Sequence, residues 1–416
     1  MSGFPRMAEV AQLFPDRNIP DVEGTVNSVL EGAQLGSILN PGERVAVTAG
    51  SRGIKNIDLI IKSVVRYISS CGCQPFVISA MGSHGGGTVS GQLAVLGDLG
   101  ITPENTGAQV LASEISLPLP AENGEIFHVS SLAFEFDHII VLNRVKPHTS
   151  FHGPAESGLQ KMLAVGLGGP GGASRIHCLG VEALPAVIPR AAAAILKHLP
   201  VVLGVAILED SRENTMRIEA IPPGEFSEKE LVLLDEARRL MPGLPFEKLD
   251  ILVVDQIGKV YSGTGMDTNV IGRIRINGVT EPSGPAIKRI VALDLAAGSK
   301  GNAYGIGLAD FTTKRLVDVI DYEAMYLNAM TSTFVMRAMV PMTCPDDLSA
   351  IRAAIKSLGR AEPESLRMVR IKNTLNLDRM LVSESLLEEA GQNSMLKITR
   401  KPEQMAFDGH NNLEPF

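Results

Sequence analysis

Three histidines and a lysine stand in two glycine-punctuated stretches of this chain. One is Gly82-Ser83-His84-Gly85-Gly86-Gly87. The other opens at Arg144-Val145-Lys146-Pro147-His148 and runs through Lys161 to Ile176-His177-Cys178. Histidine is scarce, at eight in 416 residues. Imidazole is the side chain best suited to move protons near neutral pH and to ligate a transition metal. Imidazoles set on glycine turns therefore point to proton transfer or metal chemistry.

Each position has a chemical reading and a plain one. His84, between Ser83 and three glycines, reads as a general base on a tight strand-to-helix loop. Its glycines let backbone come close to a ligand and offer N–H donors. The plain alternative is a glycine turn carrying a surface histidine. His148 follows Arg144 and Lys146, and a base beside two cations suits an anionic substrate; a solvated polar turn is the alternative. His152 would share a face with His148 if the stretch were helical, and the pair could then hold a metal, but Gly153-Pro154 argues against a helix. Lys161 lies among Leu159, Met162, Leu163 and Val165. Such a lysine either snorkels or is kept for covalent chemistry. Residues 166–172 hold five glycines in seven positions, a phosphate cradle or a flexible turn. No Gly-Lys-Ser/Thr follows, and no strand leads into a G-x-G-x-x-G, so neither a Walker loop nor a dinucleotide fold is indicated. Cys71-Gly72-Cys73 lacks the second pair a structural zinc needs. No G-x-S-x-G elbow or H-E-x-x-H helix occurs.

The elements that must position these residues alternate between strand and helix. Residues 44–48, 75–79, 137–142 and 201–208 are β-rich apolar runs. Between the first two, Ile57, Ile60, Ile61, Val64, Val65 and Ile68 step by three and four, one stripe of a helix. Residues 155–165 and 184–199 read as helices, and 166–172 as a loop. Repeated βα units imply a mostly parallel sheet, whose ligands bind past the carboxyl ends of the strands. Arg52, His84 and His148 all follow strand ends. The pattern restarts after Pro242-Gly243-Leu244-Pro245. A helix over 228–240 is expected, with Ser227 and Glu230 as a capping box. Strands are expected at 250–254 and 291–295, helices at 313–327 and 345–357, and a poorly ordered tail from Lys401. These readings predict an α/β chain of two domains, 1–247 and 248–416. Each would be a mostly parallel or mixed sheet flanked by helices, with the active site in the interdomain cleft.

Composition narrows the function. Net charge is −8 with no basic stripe, and aromatics are 4% with no Trp, which argues against nucleic-acid binding. There is no signal-peptide pattern at the start and no membrane span. Four cysteines, Cys71, Cys73, Cys178 and Cys344, make a poor disulfide framework. A reducing cytoplasm is the expected location.

Taken together, Ala49–Arg52, Gly82-Ser83-His84, Lys146-Pro147-His148, Gly158–Lys161 and His177 resemble the nickel-pincer lactate racemase family in type, order and the step from Lys161 to His177. The resemblance implies a 2-hydroxyacid racemase or epimerase acting on a small-molecule substrate. It implies a nickel-pincer nucleotide, a pyridinium-3,5-bisthiocarboxylic acid mononucleotide with nickel, linked covalently through Lys161 with His177 as metal ligand. Proteins that make the cofactor would be needed for loading. His84 and His148 would be the paired acid/bases. Ser51, Arg52, Gly82 and Ser83 would bind the cofactor, with Arg52 also on the substrate anion. Asp267-Thr268-Asn269 is similar to a substrate-side motif that includes Asp267 and Asn269. Ile271 falls where the family has tyrosine, and Arg275 replaces its lysine. The step from His148 to Lys161 is longer than the family's by a few residues. These departures point away from lactate to another 2-hydroxy acid, a sugar acid being preferred. Two other readings remain open: a zinc hydrolase built on His84, His148 and His177, and a non-catalytic protein binding phosphorylated metabolites.

Overall fold

The computed structural model describes residues 3–359 and 362–416. It is α/β, with two large sheets flanked by helices in two compact units. One unit is Pro15–Met241; the other is Pro242–Phe416 together with the stretch up to Phe14. The expected division put residues 1–247 in one domain. The strand Met7–Gln12 instead pairs antiparallel with Arg379–Ser383 in the sheet of the second unit. Its apolar residues Met7, Ala8 and Val10 are buried there, and a single cut in the chain cannot express that pairing.

The Pro15–Met241 unit carries a six-stranded sheet. In spatial order its strands are Gln109–Leu111, Gln74–Ser79, Arg44–Ala49, His138–Arg144, Val201–Glu209 and Thr215–Ile221. Neighbours are parallel except the last pair. The helix Ile57–Ser70 buries the stripe expected of it, Ile57, Ile60, Ile61, Val64, Val65 and Ile68. These pack with Val45, Val47, Ile140 and Val205 of the sheet. The opposite face is covered by Leu184–His198 and Phe226–Leu240, through Ile188, Ala191, Ile195, Phe226 and Leu233. The four apolar runs of this half are strands, as their β-branched content requires.

Three local expectations fail. The helix expected over 155–165 begins only at Leu159, is three residues long and passes straight into a π-helical turn. Residues 166–172 are not a loop: Met162–Gly166 forms a π-helical turn, and Gly169–His177 is a helix. The glycines serve close approach. A Cβ on Gly172 would stand 2.7 Å from the His128 carbonyl oxygen, and one on Gly168 would stand 2.6 Å from that of Ala164. Packing overrides the poor helix propensity of glycine. The Ser227/Glu230 capping box also does not form, because the helix begins at Phe226. Ser227 donates to Gln160 Oε1 at 3.3 Å, and Glu230 accepts from the Gln160 amide at 3.0 Å. The cap goes to another helix.

The second unit holds an eight-stranded sheet. Its parallel part runs Met342–Cys344, Phe311–Thr313, Ala286–Leu295, Lys248–Ile257 and Met368–Ile371. Arg379–Ser383, Met7–Gln12 and Leu396–Ile398 complete it antiparallel. The expected helix over 313–327 is two, Lys314–Asp318 and Tyr322–Ser332, because Asp321 caps the second by accepting from the Ala324 amide at 3.0 Å. The chain beyond Lys401, expected to be poorly ordered, is tied down. Phe407 bridges Leu413, the Leu413 amide donates to Asp347 at 2.9 Å, and Arg370 donates to the Glu414 carbonyl at 2.9 Å. Among the described residues, no helix is long and apolar enough to cross a membrane, and the four cysteines are free.

Candidate active site

Sheet order brings the expected residues together. Gln74–Ser79, Arg44–Ala49 and His138–Arg144 are parallel neighbours, so their carboxyl ends lie side by side. Those ends lead into Gly82–His84, Ser51–Arg52 and Lys146–His148 respectively. From Arg44–Ala49 the chain builds outward through Gln74–Ser79 and Gln109–Leu111, then returns to place His138–Arg144 on the other flank. The order therefore reverses between Arg44–Ala49 and His138–Arg144. Open α/β sheets form a ligand crevice at such a reversal, and Arg52 and His148 flank it.

The His84 loop is pressed against the chain that carries Lys161 and His177. Gly82 has φ of +60°, a conformation side-chain-bearing residues rarely adopt. Its amide donates to the Gly166 carbonyl at 3.3 Å. A Cβ on Gly82 would stand 2.9 Å from Ala173 Cβ, and one on Gly166 would stand 2.6 Å from the Ala80 oxygen. His84 Nδ1 is hydrogen-bonded to Ser51 Oγ, which ties the two strand-end loops. A hydroxyl both donates and accepts, so Ser51 supports either neutral tautomer of His84.

Lys161 sits on the short helix Leu159–Lys161, immediately before the π-turn, where the Leu167 amide bonds to Met162 O at 2.7 Å. Single π-turns within helices gather at functional sites. Arg52 and His177 have exposed surface and Lys161 is partly exposed, yet all three are deeply surrounded by protein. Accessible area combined with dense surroundings describes the wall of a recess. Burial, reinforced by the Arg52 charge, pulls the Lys161 amine down to about 7, with Glu156 opposing. Burial and then Lys161 lower His177. Burial and then Arg144 lower Arg52. Among the described residues neither Arg52 nor Lys161 has an ion-pair partner. Arg144 and Lys146, the cations flanking His148 in sequence, are paired with Glu209 and, at 3.7 Å, with Glu213. Of these four groups, the full positive charge left over for an anion is thus on Arg52, since Lys161 is about half neutral at pH 7.

The longer step from His148 to Lys161 closes through Phe151. The His148 and Phe151 ring centroids are 4.3 Å apart, and Lys161 Nζ lies 5.6 Å from the Phe151 centroid. The turn bearing His148 is held by Glu156, a residue that sequence reading missed. Its fully buried carboxylate accepts from the His148 amide at 2.7 Å, the Gly153 amide at 3.0 Å and Arg238 at 2.6 Å. It also meets His152 Nδ1 at 3.2 Å, so His152 serves this anchor. Burial pushes Glu156 upward, but these bonds hold it below the usual carboxylate range. Glu156 shows no sequence signal except that a buried acid needs partners, and two of its four partners are backbone amides. The Ser150 amide donates to His148 Nδ1 at 3.1 Å. An N–H can only donate, so Nδ1 is unprotonated and neutral His148 carries its proton on Nε2.

Asp267 and Asn269 belong to the second unit. Asp267 caps the short helix Thr268–Ile271, accepting from the Asn269 amide at 3.0 Å and from Asn269 Nδ2 at 3.1 Å. Ile271 is buried in the core. The Arg275 guanidinium is engaged by Gly307 O at 2.6 Å, Ala309 O at 3.1 Å and Asp310 at 2.6 Å. Among the described residues, no three His, Cys, Asp or Glu side chains converge as a metal cage.

No protein-family model matches the chain, and no curated protein matches it. Among solved structures, a Thermotoga maritima protein determined by structural genomics superposes with a TM-score of 0.50 at 16% identity, over 76% of this chain and 82% of that one. The lactate racemase apoprotein of Thermoanaerobacterium thermosaccharolyticum aligns with a TM-score of 0.48 at 13% identity, over 90% of this chain and 96% of that one. The Thermotoga likeness is one of fold, and it places the chain with proteins of this α/β architecture.

Proposed function

We propose that the protein is an isomerase inverting the C2 centre of a 2-hydroxy acid, with a nickel-pincer nucleotide held by Lys161 and His177. The observation that carries this reading is Lys161. Its surroundings suit a covalent amine and not a snorkelling one: a recess wall, a cationic neighbour, no ion-pair partner among the described residues, and a pKa of about 7. A neutral amine is the form that makes an amide-type link. The neighbouring His177 would supply one imidazole to the metal, a donor that suits nickel. Arg52 and the Gly82–Ser83 turn would bind the nucleotide's anionic groups. The residues present therefore fit the group, whose contribution when bound is reversible acceptance of a hydride.

The rest falls to the chain's own side chains. Arg52 orients the substrate carboxylate. His148, with its Nδ1 accepting from the Ser150 amide, can offer Nε2–H as a hydrogen-bond donor to the substrate oxygen. His84 can present Nε2 with or without a proton, according to how the Ser51 hydroxyl turns. One imidazole takes the hydroxyl proton and the other returns one after the planar 2-keto acid has turned over. For His148 to take or give a whole proton, the 148–150 turn must release Nδ1, because an imidazolium carries N–H at both nitrogens. Ile271 and Arg275, standing at the family's tyrosine and lysine positions, serve packing and internal hydrogen bonds here. A larger acid than lactate, such as a sugar acid, is the proposed substrate.

The test is to co-express the chain with cofactor-making proteins, incubate it with a panel of chiral 2-hydroxy acids in D₂O, and follow chirality. Inversion of at least one acid with retention of its α-hydrogen is expected. Inversion with deuterium uptake, or binding of phosphorylated metabolites without turnover of any acid, would overturn the proposal.

A further inference from the structure

The most unusual surface of the protein lies on its second unit. Large exposed hydrophobics number 24 among the described residues, and ten of them fall between Val319 and Met342. Single exposed apolar residues are ordinary, whereas a contiguous apolar patch marks an interaction site. The helix Tyr322–Ser332 turns Met325 and Ala329 inward. Its outward side should be charged, as on any surface helix. Instead it carries Tyr326, Leu327 and Met330, the last two 65% and 71% exposed. The next turn, Val335–Ala338, packs on this helix and leaves Val335 and Met336 exposed. The chain then enters the edge strand Met342–Cys344 with Met342 67% exposed. The stretch carries three charges, of which Asp321 and Glu323 are exposed at the helix's N-terminal end and Arg337 is buried. Asp321 caps the helix, Arg337 is buried with Nε donating to Ile274 O at 2.9 Å, and Glu323 lies in the helix's first turn.

We propose that this face joins two copies of the chain about a two-fold axis. Two observations favour a second copy over another partner. The first is area. Ten residues at these exposures present roughly 1,000 Å² of accessible surface, backbone included, against about 800 Å² per partner in a stable standard interface. An interface so poor in charge has the composition of permanent homodimers, not of transient contacts. The second is the sheet edge. Met342–Cys344 is the outermost strand of the eight-stranded sheet, paired on its inner side with Phe311–Thr313. An edge strand is self-complementary: turned about a two-fold, it can pair antiparallel with its own copy. The inference stands apart from the proposed reaction.

The test is sedimentation of the full-length chain from about 0.1 to 100 µM. Wild type is expected to sediment at twice the chain mass through most of this range. Met330→Glu with Leu327→Lys, both at exposed positions, should weaken dimerisation at least about 100-fold, since two central apolar anchors become charged. Circular dichroism should be unchanged. Val232→Glu, at an exposed apolar position on the other unit, should leave the dimer intact. A monomeric wild type at 100 µM overturns the proposal, as does a double variant that keeps the wild-type dissociation constant. A wild type that is monomeric alone but captured through this face by a different protein also overturns it.

Discussion

Lys161 is expected to be the most reactive lysine of the unloaded protein near neutral pH. An ordinary lysine, at 10.5, has about 1 neutral amine in 3,000 at pH 7; at about 7 the fraction is about half. The reactive form is therefore enriched roughly 1,000-fold. Burial is the larger cause and the Arg52 charge the next, which sets the direction of a second perturbation. Arg52→Met removes a like charge, so the labelling midpoint of Lys161 should rise, while burial keeps it below 10.5. The assay is a short pulse of acetic anhydride from pH 5 to 11, with quantitative peptide mass spectrometry and, as internal reference, an Nα-blocked lysine peptide amide whose ε-amine is free. The expected wild-type midpoint is near pH 7. A midpoint near that of the reference peptide, or one that fails to rise in Arg52→Met, would refute the reasoning that makes this lysine a covalent anchor.

Two further outcomes follow from packing and linkage. Gly166→Ala drives a methyl onto the Ala80 carbonyl, 2.6 Å from the ideal Cβ, and should cost about 1–3 kcal/mol; an unchanged urea midpoint would contradict the close approach of the His84 loop to the π-turn. Glu230 is buried, its Oε1 has no hydrogen-bond partner, and burial raises its carboxyl to about 7. A raised acid pKa keeps the proton in the folded state, so stability should fall as pH rises from 4.5 to 7 and then level. Glu230→Gln lacks that loss and should gain roughly 3 kcal/mol on wild type between pH 4.5 and 8, measured by urea unfolding; equal stability profiles would count against a carboxyl whose burial outweighs its hydrogen bonds.

Much of the scaffold was legible because its signals are local. The stripe Ile57–Ile68 and the runs at 44–48 and 137–142 need no tertiary knowledge to be read. What escaped depends on contacts far apart in sequence. The glycines of 166–172 look like loop chemistry until the His128 and Ala80 carbonyls that press on them are known. Ser227 and Glu230 have the spacing of a capping box, yet both turn to Gln160, some 67 and 70 residues earlier in the chain. The strand Met7–Gln12 finds its partner at Arg379–Ser383, beyond any local pattern. In the site, His84, His148, Lys161 and His177 could be singled out by type and spacing. Glu156, which anchors the His148 turn, could not: an acid between His152 and Lys161 reads as a surface charge until the fold buries it.

The central claim is the covalent anchor at Lys161. Its most direct test is intact-mass analysis of the chain purified after co-expression with cofactor-making proteins, followed by peptide mapping and nickel quantification. The account predicts one added nucleotide mass per chain, located on Lys161, with nickel in equal amount and lost in His177→Ala while the adduct on Lys161 remains. An unmodified Lys161 in a nickel-free protein, under conditions that load a known pincer enzyme, would contradict it.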